Sequence, residues 1–591
     1  MLNCHGAGIY SRRDFSSPNT NFKSFGASMD TRIVAITVVS LGLSGTAVAQ
    51  TQAPAVALVS LPAPPGGSGV SLTGIDAAGD VLGSTQINSH TEIVKWVGGK
   101  TPVVYPRLPG DQGTNKDYNP IAINKSGAVI GTRAAFENGT WTVQGIYWDA
   151  ARHPTAVPGA INLTGLSDGL AIAGTTGGPQ FDLQNAAQWA SPTAQPSVLP
   201  YSPQLMECPG QPAGFCNGFG GPISPNGRYV FANATEGEAW GYEGTLYSNG
   251  VAVSNVDAWQ LRASQITDGE VIVGSRDTGI RSTITPFNVN QAYRFEAGIF
   301  IPLGALPGAP AGTAFESVAN SINSSGVIVG RSDASLAGDQ HAVMWINDQI
   351  IDLNTAYASQ LPANSIAIDA YAINDSGQFI LVTQDSATNA WKYHVARPLI
   401  PTHTTITSNI NPSTYGQQIH LVAKVTPDSG PVPTSGSVSW YDNGTLLGTA
   451  GVTTIGTSSW QPSTWTGGVH NVTAVFPATT TFASSTSPVF EQTVKAASTR
   501  TTVSAAPSPA THGQSVKLTA TVVPTSGTIA GTVTFKSGTT VLGTGTLDAR
   551  TKQTWLTTSF AKAGSYSITA SFAGSQNFTA SSSAAVTLTV K

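Results

Sequence analysis

The sequence predicts an all-β protein: a seven-bladed β-propeller followed by two immunoglobulin-like β-sandwich domains. Three observations predict it. A ten-residue phrase recurs seven times, first as Gly74-Ile75-Asp76-Ala77-Ala78-Gly79-Asp80-Val81-Leu82-Gly83, with its lead apolar residue at Ile75, Ile123, Leu166, Ile223, Ile266, Ile322 and Ile373. The mean spacing of about 50 residues lies in the range of propeller repeats. After Pro398 a second repeat of about 95 residues, rich in Thr, Ser and Val, replaces the first. Finally, only 10% of the 591 residues are charged, Gly (63) and Pro (37) are abundant, and Lys/Glu-rich helical stretches are missing. Such a chain could be disordered, but 40% apolar content arranged in period-2 runs argues for buried sheets.

The first 28 residues carry no structural pattern and read as an N-terminal extension (1–28). Met29-Asp30-Thr31-Arg32 then leads into an eleven-residue apolar stretch, Ile33 to Leu43, and the small-residue site Ala47-Val48-Ala49. This is the pattern of a secretory signal peptide over residues 29–49, which places the translation start at Met29. The apolar run is too short to act as a membrane anchor, and no later stretch is long and apolar enough to span a bilayer, so the mature chain is expected to have no transmembrane segment.

Within each copy, the phrase reads as a strand, a tight turn of Asn, Asp, Ser and Gly, and a second strand, because those residues accept the dihedrals of a tight turn. A third strand follows at an aromatic-containing run, such as Ile93 to Trp96, Gly145 to Trp148 or His341 to Trp345. A fourth is a short apolar run such as Phe300 to Leu303. The seventh copy, from Ile373 to about Leu399, lacks a fourth strand. Ala55 to Pro62 resembles the run Gly298 to Leu303, so the N-terminal strand is expected to complete the seventh blade and close the ring, removing free sheet edges. The propeller thus spans 50–400.

Two domains of about 95 residues follow, 401–495 and 496–591. Thr404-Thr405-Ile406 matches Thr501-Thr502-Val503, Tyr415-Gly416-Gln417 matches His512-Gly513-Gln514, and Ser437-Val438-Ser439-Trp440 matches Thr532-Val533-Thr534-Phe535. Alternating strands with turns every ten or so residues fit an immunoglobulin-like sandwich, here without cysteine.

The propeller phrases resemble the bacterial extracellular HAF repeat, whose core is Ile-Asn-x-x-Gly-x-Val-x-Gly followed by His-Ala-Phe-x-Trp. The best copy is Ile322-Asn323-Ser324-Ser325-Gly326-Val327-Ile328-Val329-Gly330 with His341-Ala342-Val343-Met344-Trp345, in which Val343 stands where the repeat has Phe. The tail resembles tandem bacterial Ig-like domains through Leu446-Leu447-Gly448, Val541-Leu542-Gly543, Phe482-Ala483-Ser484-Ser485 and Phe578-Thr579-Ala580-Ser581. Neither resemblance brings a catalytic residue. Both imply secretion and binding at a cell surface.

With Cys4 ahead of the signal, Cys208 and Cys216 remain. Eight residues apart in an exported chain, with no His or third Cys beside them, they are expected to form a structural disulfide rather than a metal site. Gly165-Leu166-Ser167-Asp168-Gly169 matches the nucleophile elbow, but it occupies the turn of the third repeat and leads into a strand where the elbow needs a helix. Ser167 is therefore read as a turn residue and no catalytic residue is assigned. Asp or Asn recurs at the turns, at Asp76, Asn124, Asp168, Asp268, Asn323 and Asn374. This suits turn chemistry better than calcium, whose six to eight oxygens demand denser carboxylates. The recurrent Trp and Phe of the third strands read as packing residues rather than sugar platforms.

No P-loop, zinc motif or basic aromatic patch is present, so no cofactor, no metal and no nucleic-acid partner is expected. Residues 401–591 hold nine Lys/Arg and four Asp/Glu, whereas residues 50–400 hold 15 and 26, an acidic propeller on a basic tail. The segments joining one blade to the next, Pro109 to Asn119, Pro200 to Pro222 and Pro307 to Ala319, line one face, with Asp117, Tyr118, Phe215, Phe219 and Phe315 as candidate contacts. The resulting expectation is a secreted or cell-surface, non-enzymatic binding protein with an extracellular ligand such as a carbohydrate or cell-surface component. The alternatives are an extracellular propeller enzyme acting on polysaccharide, which requires paired carboxylates converging in one channel, and a purely structural envelope component.

Overall fold

The computed structural model describes residues 52–591 apart from 113–115, 138, 178–183, 201–215, 237–241, 257–261, 282–287, 311–312 and 464. The N-terminal extension and the signal segment fall outside the described residues, as do Cys208 and Phe215.

Each phrase forms a hairpin because its polar residue caps its own turn. In the second copy Asn124 Oδ1 accepts the N–H groups of Ser126 (3.1 Å) and Ala128 (3.0 Å), and in the sixth Asn323 Oδ1 accepts those of Ser325 (3.1 Å) and Val327 (3.0 Å). The hairpin is extended by a third and a fourth antiparallel strand. The first sheet is Ser68–Ile75, Val81–Ile87, His90–Val97 and Thr101–Val104, and the second is Lys116–Ile123, Val129–Glu137, Thr140–Trp148 and Pro154–Ala156. Five more sheets begin at Ala160–Leu166, Cys216–Ile223, Arg262–Ile266, Ser317–Ile322 and Ser365–Ile373. The described residues thus contain seven four-stranded antiparallel sheets in this region.

The seventh sheet takes its outer strand from the other end of the region. Val56–Ser60 pairs antiparallel with Trp391–Pro398, Val56 opposite Pro398 and Ser60 opposite His394, and Leu61 N donates to Tyr393 O at 2.9 Å. The sheets also succeed one another cyclically. Asn124 Nδ2 of the second donates to Ser167 O of the third (3.1 Å), Asn323 Nδ2 of the sixth to Asn374 O of the seventh (3.4 Å), and Asn374 Nδ2 to Asp76 O of the first (2.9 Å). The region is all-β and propeller-like.

The apolar interior is correspondingly divided into separate clusters, each filling the gap between two neighbouring sheets. Leu72, Val81, Val94 and Trp96 of the first sheet meet Ile380 and Val395 of the seventh, and Val329, Ala342 and Met344 of the sixth meet Ala367, Phe379 and Leu381 of the seventh. Trp96, Trp148, Trp189 and Trp345 are fully buried near the ends of their third strands. Each indole Nε1–H donates to a carbonyl of the linker entering its own sheet, at Pro62, Pro106 and Pro158 (2.8 Å) and Leu303 (2.9 Å). These four third-strand tryptophans therefore pin the linkers, as the packing reading expects of them.

The glycine that ends the phrase has a steric cause. In the sixth sheet Ala319 pairs with Gly330 and the register then shifts, a bulge that turns the Val318 carbonyl onto Gly330. A Cβ at Gly330 would overlap that oxygen and stand 3.1 Å from Trp345 Cζ3. In the fourth sheet Ala232 replaces the glycine, and the bulged strand opposite carries Gly220 and Gly221 instead.

The tail forms two sandwiches. In the first, Thr402–Ser408, Leu421–Pro427 and Thr457–Trp460 face a sheet built on Ser437–Asp442, Gly468–Phe476 and Phe490–Lys495. In the second, Thr499–Ala506, Ser515–Pro524 and Gln553–Ser559 face Thr532–Ser537, Gly564–Phe572 and Val586–Val590. Trp440 and Phe535, equivalent in sequence, are each fully buried at the centre of their cores.

Candidate functional site

Antiparallel order puts the turns between first and second strands on one face of the propeller-like region. The hairpins between second and third strands, with the linkers joining successive sheets, lie on the other. Part of the turn face is bridged by polar contacts. Lys125 Nζ lies 3.0 Å from Asp375 Oδ2 of the seventh sheet and 3.5 Å from Asp168 Oδ2 of the third. The equivalent position of the intervening first sheet is Ala77, whose methyl leaves the way open. The Asp375 carboxyl is held below its ordinary range: burial opposes ionisation, but hydrogen bonds from Ser324 N–H and Lys125 outweigh it.

Counting from the lead residue separates the turn Asp and Asn residues into two kinds. Asp76, Asn124, Asn323 and Asn374 occupy the capping position, where Ser167 Oγ takes over in the third sheet by accepting Ala171 N–H at 2.8 Å. Asp168 and Asp268 stand one position later and accept N–H groups of the neighbouring turn, from Lys125 (3.0 Å) and Asn226 (2.7 Å). Their oxygens are occupied in turn and inter-sheet bonding. Among the described residues no group of three or more His, Cys, Asp or Glu is placed to hold a metal ion.

The linker face is different. The hairpin Val129–Glu137 and Thr140–Trp148 has two nine-residue strands, longer than the six-residue Ile328–Asp333, and its outer part leaves the core. At its tip Phe136 pairs directly with Trp141, ring centroids 5.4 Å apart and tilted by 56°, yet the two residues are 60% and 61% exposed. Its root is held by a polar network. Asp111 of the linker accepts Tyr118 OH at 2.7 Å and pairs with Lys116 and Arg133, while Arg107 pairs with Glu92. Burial opposes ionisation of Asp111, but the bonds from Arg133, Lys116 and Tyr118 drive its pKa far below the ordinary carboxylate range. With Glu137 paired to Lys116 (3.0 Å) and Arg133 (3.5 Å), two cations balance two anions and the network is neutral. Trp391, at 57%, is a third exposed ring, on another hairpin of this face.

A further polar cluster lies where the first strands of the sixth and seventh sheets meet. Asp369 accepts Arg331 Nη1 at 2.9 Å and Asn320 Nδ2 at 2.8 Å, and Asp333 Oδ2 accepts Glu316 N–H at 3.2 Å. Burial raises the pKa of Glu316, Asp333 and Asp369 above the ordinary range. Arg331 of the sixth sheet and Asp369 of the seventh form the ion pair that joins the two sheets here.

The sequence-derived contact set is not assembled as expected. Tyr118 is 2% exposed, within a first strand and packed edge-on against Trp148 at 6.1 Å, and Phe315 is likewise 2% exposed. Asp117 accepts Thr91 N–H at 2.7 Å, bonding the second sheet to the first, and Phe219 is half-buried in a first strand. Linker and first-strand aromatics here are packing residues. Cys216 begins the strand Cys216–Ile223; its expected bond to Cys208 lies outside the described residues.

Residues 406–495 and 503–591 match the bacterial Ig-like domain, group 3, so the tail is a tandem pair of such domains. Domains of this kind are typical of extracellular or surface proteins. A search of curated proteins gave no match. Solved structures similar to the chain include fibronectin(III)-like modules of Clostridium thermocellum CbhA, 20% identical over 32% of this chain and 92% of that one, TM-score 0.15. A prolyl endopeptidase is 11% identical over 64% of this chain and 55% of that one, TM-score 0.38. Pyrococcus horikoshii acylaminoacyl peptidase is 10% identical over 62% and 59%, TM-score 0.36. The chain thus spans little more than half the length of those peptidases, and likeness at this level carries nothing about activity. Among the described residues no helix is long and apolar enough to cross a membrane.

Proposed function

We propose that this is a secreted or cell-surface, non-enzymatic binding protein, in which a seven-bladed β-propeller of HAF-like repeats is displayed on two Ig-like spacer domains. The ligand is an extracellular component such as a carbohydrate, and it meets the linker face. The observation that carries this reading is the Phe136–Trp141 pair, two exposed rings mounted on a hairpin whose root is fixed by Asp111, Lys116 and Arg133. A cross-strand aromatic pair stabilises a hairpin by about 0.2–1 kcal/mol, but that role needs no exposure of both rings. Exposed apolar surface on a rigid mount supports a binding role. On the turn face the acidic side chains Asp168 and Asp375 are engaged by Lys125, which favours the linker face as the side from which a ligand approaches. The test is an array of glycans and cell-wall polysaccharides probed with the full-length protein. Saturable binding is the expected result, and absence of binding moves the reading to a structural envelope component.

A second reading is favoured by one observation. Glu316, Asp333 and Asp369 hold their protons above the usual range, as a general acid must, and an acid/base pair on this face would make the protein a polysaccharide hydrolase or lyase. Against it, Asp369 is committed to Arg331 and Asn320. Release of reducing ends from an array-positive polysaccharide, lost in Glu316→Gln, would support the enzyme; unaltered polysaccharide supports binding alone.

A further inference from the structure

The ring is closed by a seam between strands far apart in sequence, and the seam contains a buried histidine. His394 is 1% exposed. Its Nδ1 lies 3.1 Å from Ser60 Oγ, 334 positions away on the strand Val56–Ser60, and its Nε2 lies 2.9 Å from Thr383 Oγ1 on the inner neighbour Phe379–Asp385. Both ring nitrogens are filled by hydroxyls, so neither partner offers a negative charge to an imidazolium.

The surrounding charges give no compensation. Val56–Ser60 has no ionisable side chain. Lys392, on the histidine's own strand, opposes a second positive charge, and Asp385 of the neighbouring strand faces that lysine at 3.7 Å. Arg331 of the sixth sheet is taken up by Asp369, and Tyr357, just after that sheet's last strand, is buried and neutral.

We propose that His394 is an acid-operated latch, whose protonation releases the strand Val56–Ser60 from the seventh sheet and opens the ring at this seam while the other six sheets remain folded. Five residues of edge pairing hold that strand, against two flanking ladders for each inner strand, so the seam is where the strain of a buried charge is relieved. This holds whatever the ring binds.

Burial, aided by Lys392, lowers the pKa of His394 from 6.5 to about 4. An opened seam restores the ordinary value and therefore binds more protons between those limits. Closure is fully stable above about pH 6.5 and weakens as the pH falls towards 4. The opening equilibrium rises about 20-fold at pH 5 relative to pH 7, and on the order of 100-fold at pH 4.

Hydrogen–deuterium exchange of the full chain tests this. Peptides covering 55–61 and 391–398 are expected to lose protection between pH 6.5 and 4, ahead of peptides from the second to sixth sheets, and His394→Gln is expected to abolish the change. Seam peptides that stay protected at pH 4, exchange rising equally throughout the ring, or a Gln variant opening at the same pH would each overturn the proposal. Should His394→Gln fail to fold, Lys392→Ala at its exposed site carries the test. Removing the repelling charge raises the closed-state pKa and shrinks the opening at pH 4, and unchanged opening overturns the latch.

Discussion

Lys125 of the second sheet reaches past the first sheet to Asp375 of the seventh, Nζ to Oδ2 3.0 Å, and so joins two sheets that are not direct neighbours on the turn face. Its side chain is 48% exposed and Asp375 is 40% exposed, so screening limits what the pair contributes. Lys125→Ala is expected to cost about 0.5 kcal/mol at low salt and almost nothing at 1 M salt. Thermal unfolding at the two ionic strengths measures this.

The phrase glycines differ in what they tolerate. Gly330→Ala is expected to destabilise by about 2 kcal/mol or more, because a Cβ would overlap the Val318 carbonyl across the bulge. Gly326→Ala, in the same copy, meets open space and costs only the strain of φ +80°, about 1 kcal/mol. Equal effects in denaturant unfolding would contradict the bulge explanation.

The buried indoles separate packing from hydrogen bonding. Trp345→Phe keeps most of the ring volume but leaves Leu303 O without its donor at 2.9 Å, a cost of about 1–3 kcal/mol, whereas Trp345→Ala is expected to cost about 3–5 kcal/mol. Denaturant titration of the two variants distinguishes these terms.

Acid sensitivity is expected in two stages of opposite chemistry. His394, with its pKa lowered to about 4, withdraws stability as pH falls from about 6.5. Asp111, also lowered, contributes stability at all pH values above the ordinary carboxylate range and loses it as pH falls through that range and below. Asp111→Asn is expected to lower stability at pH 7 and flatten only the lower stage, measured by unfolding at pH 7, 5 and 3.

The two Ig-like domains are joined by more than a linker. Tyr415 of the first packs edge-on against Phe578 of the second at 5.2 Å, and Gly467 N–H donates to Asn577 Oδ1 at 2.7 Å. Tyr415→Ser is expected to broaden the interdomain distance distribution in small-angle X-ray scattering without lowering the stability of either core by more than about 1 kcal/mol.

Much of the architecture is legible because each repeat states its own chemistry. The Asn of Ile322-Asn323 and Ala122-Ile123-Asn124 announces the turn it caps, and the resemblance of Ala55–Pro62 to Gly298–Leu303 announces an outer strand, which pairs with Trp391–Pro398. The candidate site is much less legible. Tyr118 and Phe315 look like loop aromatics because linkers usually run on the surface, but Tyr118 lies within a first strand against Trp148 and Phe315 is buried. Phe136 and Trp141 were missed because alternation looks the same inside the core and beyond it; the extra length of their strands was the available signal. The Lys125–Asp375 pair, 250 positions apart in the chain, has no local signature at all.

The central claim is that the ring, through its linker face, holds the ligand, and that the Ig-like domains present it. The most direct measurement compares full-length wild type, Phe136→Ser/Trp141→Ser and Trp555→Ser, the last removing an exposed ring of the second Ig-like domain, on the best-bound component of the glycan and polysaccharide array. Loss of at least tenfold in affinity for the double variant, with Trp555→Ser unchanged, is the expected result. Full affinity in the double variant, or loss confined to Trp555→Ser, would contradict the account.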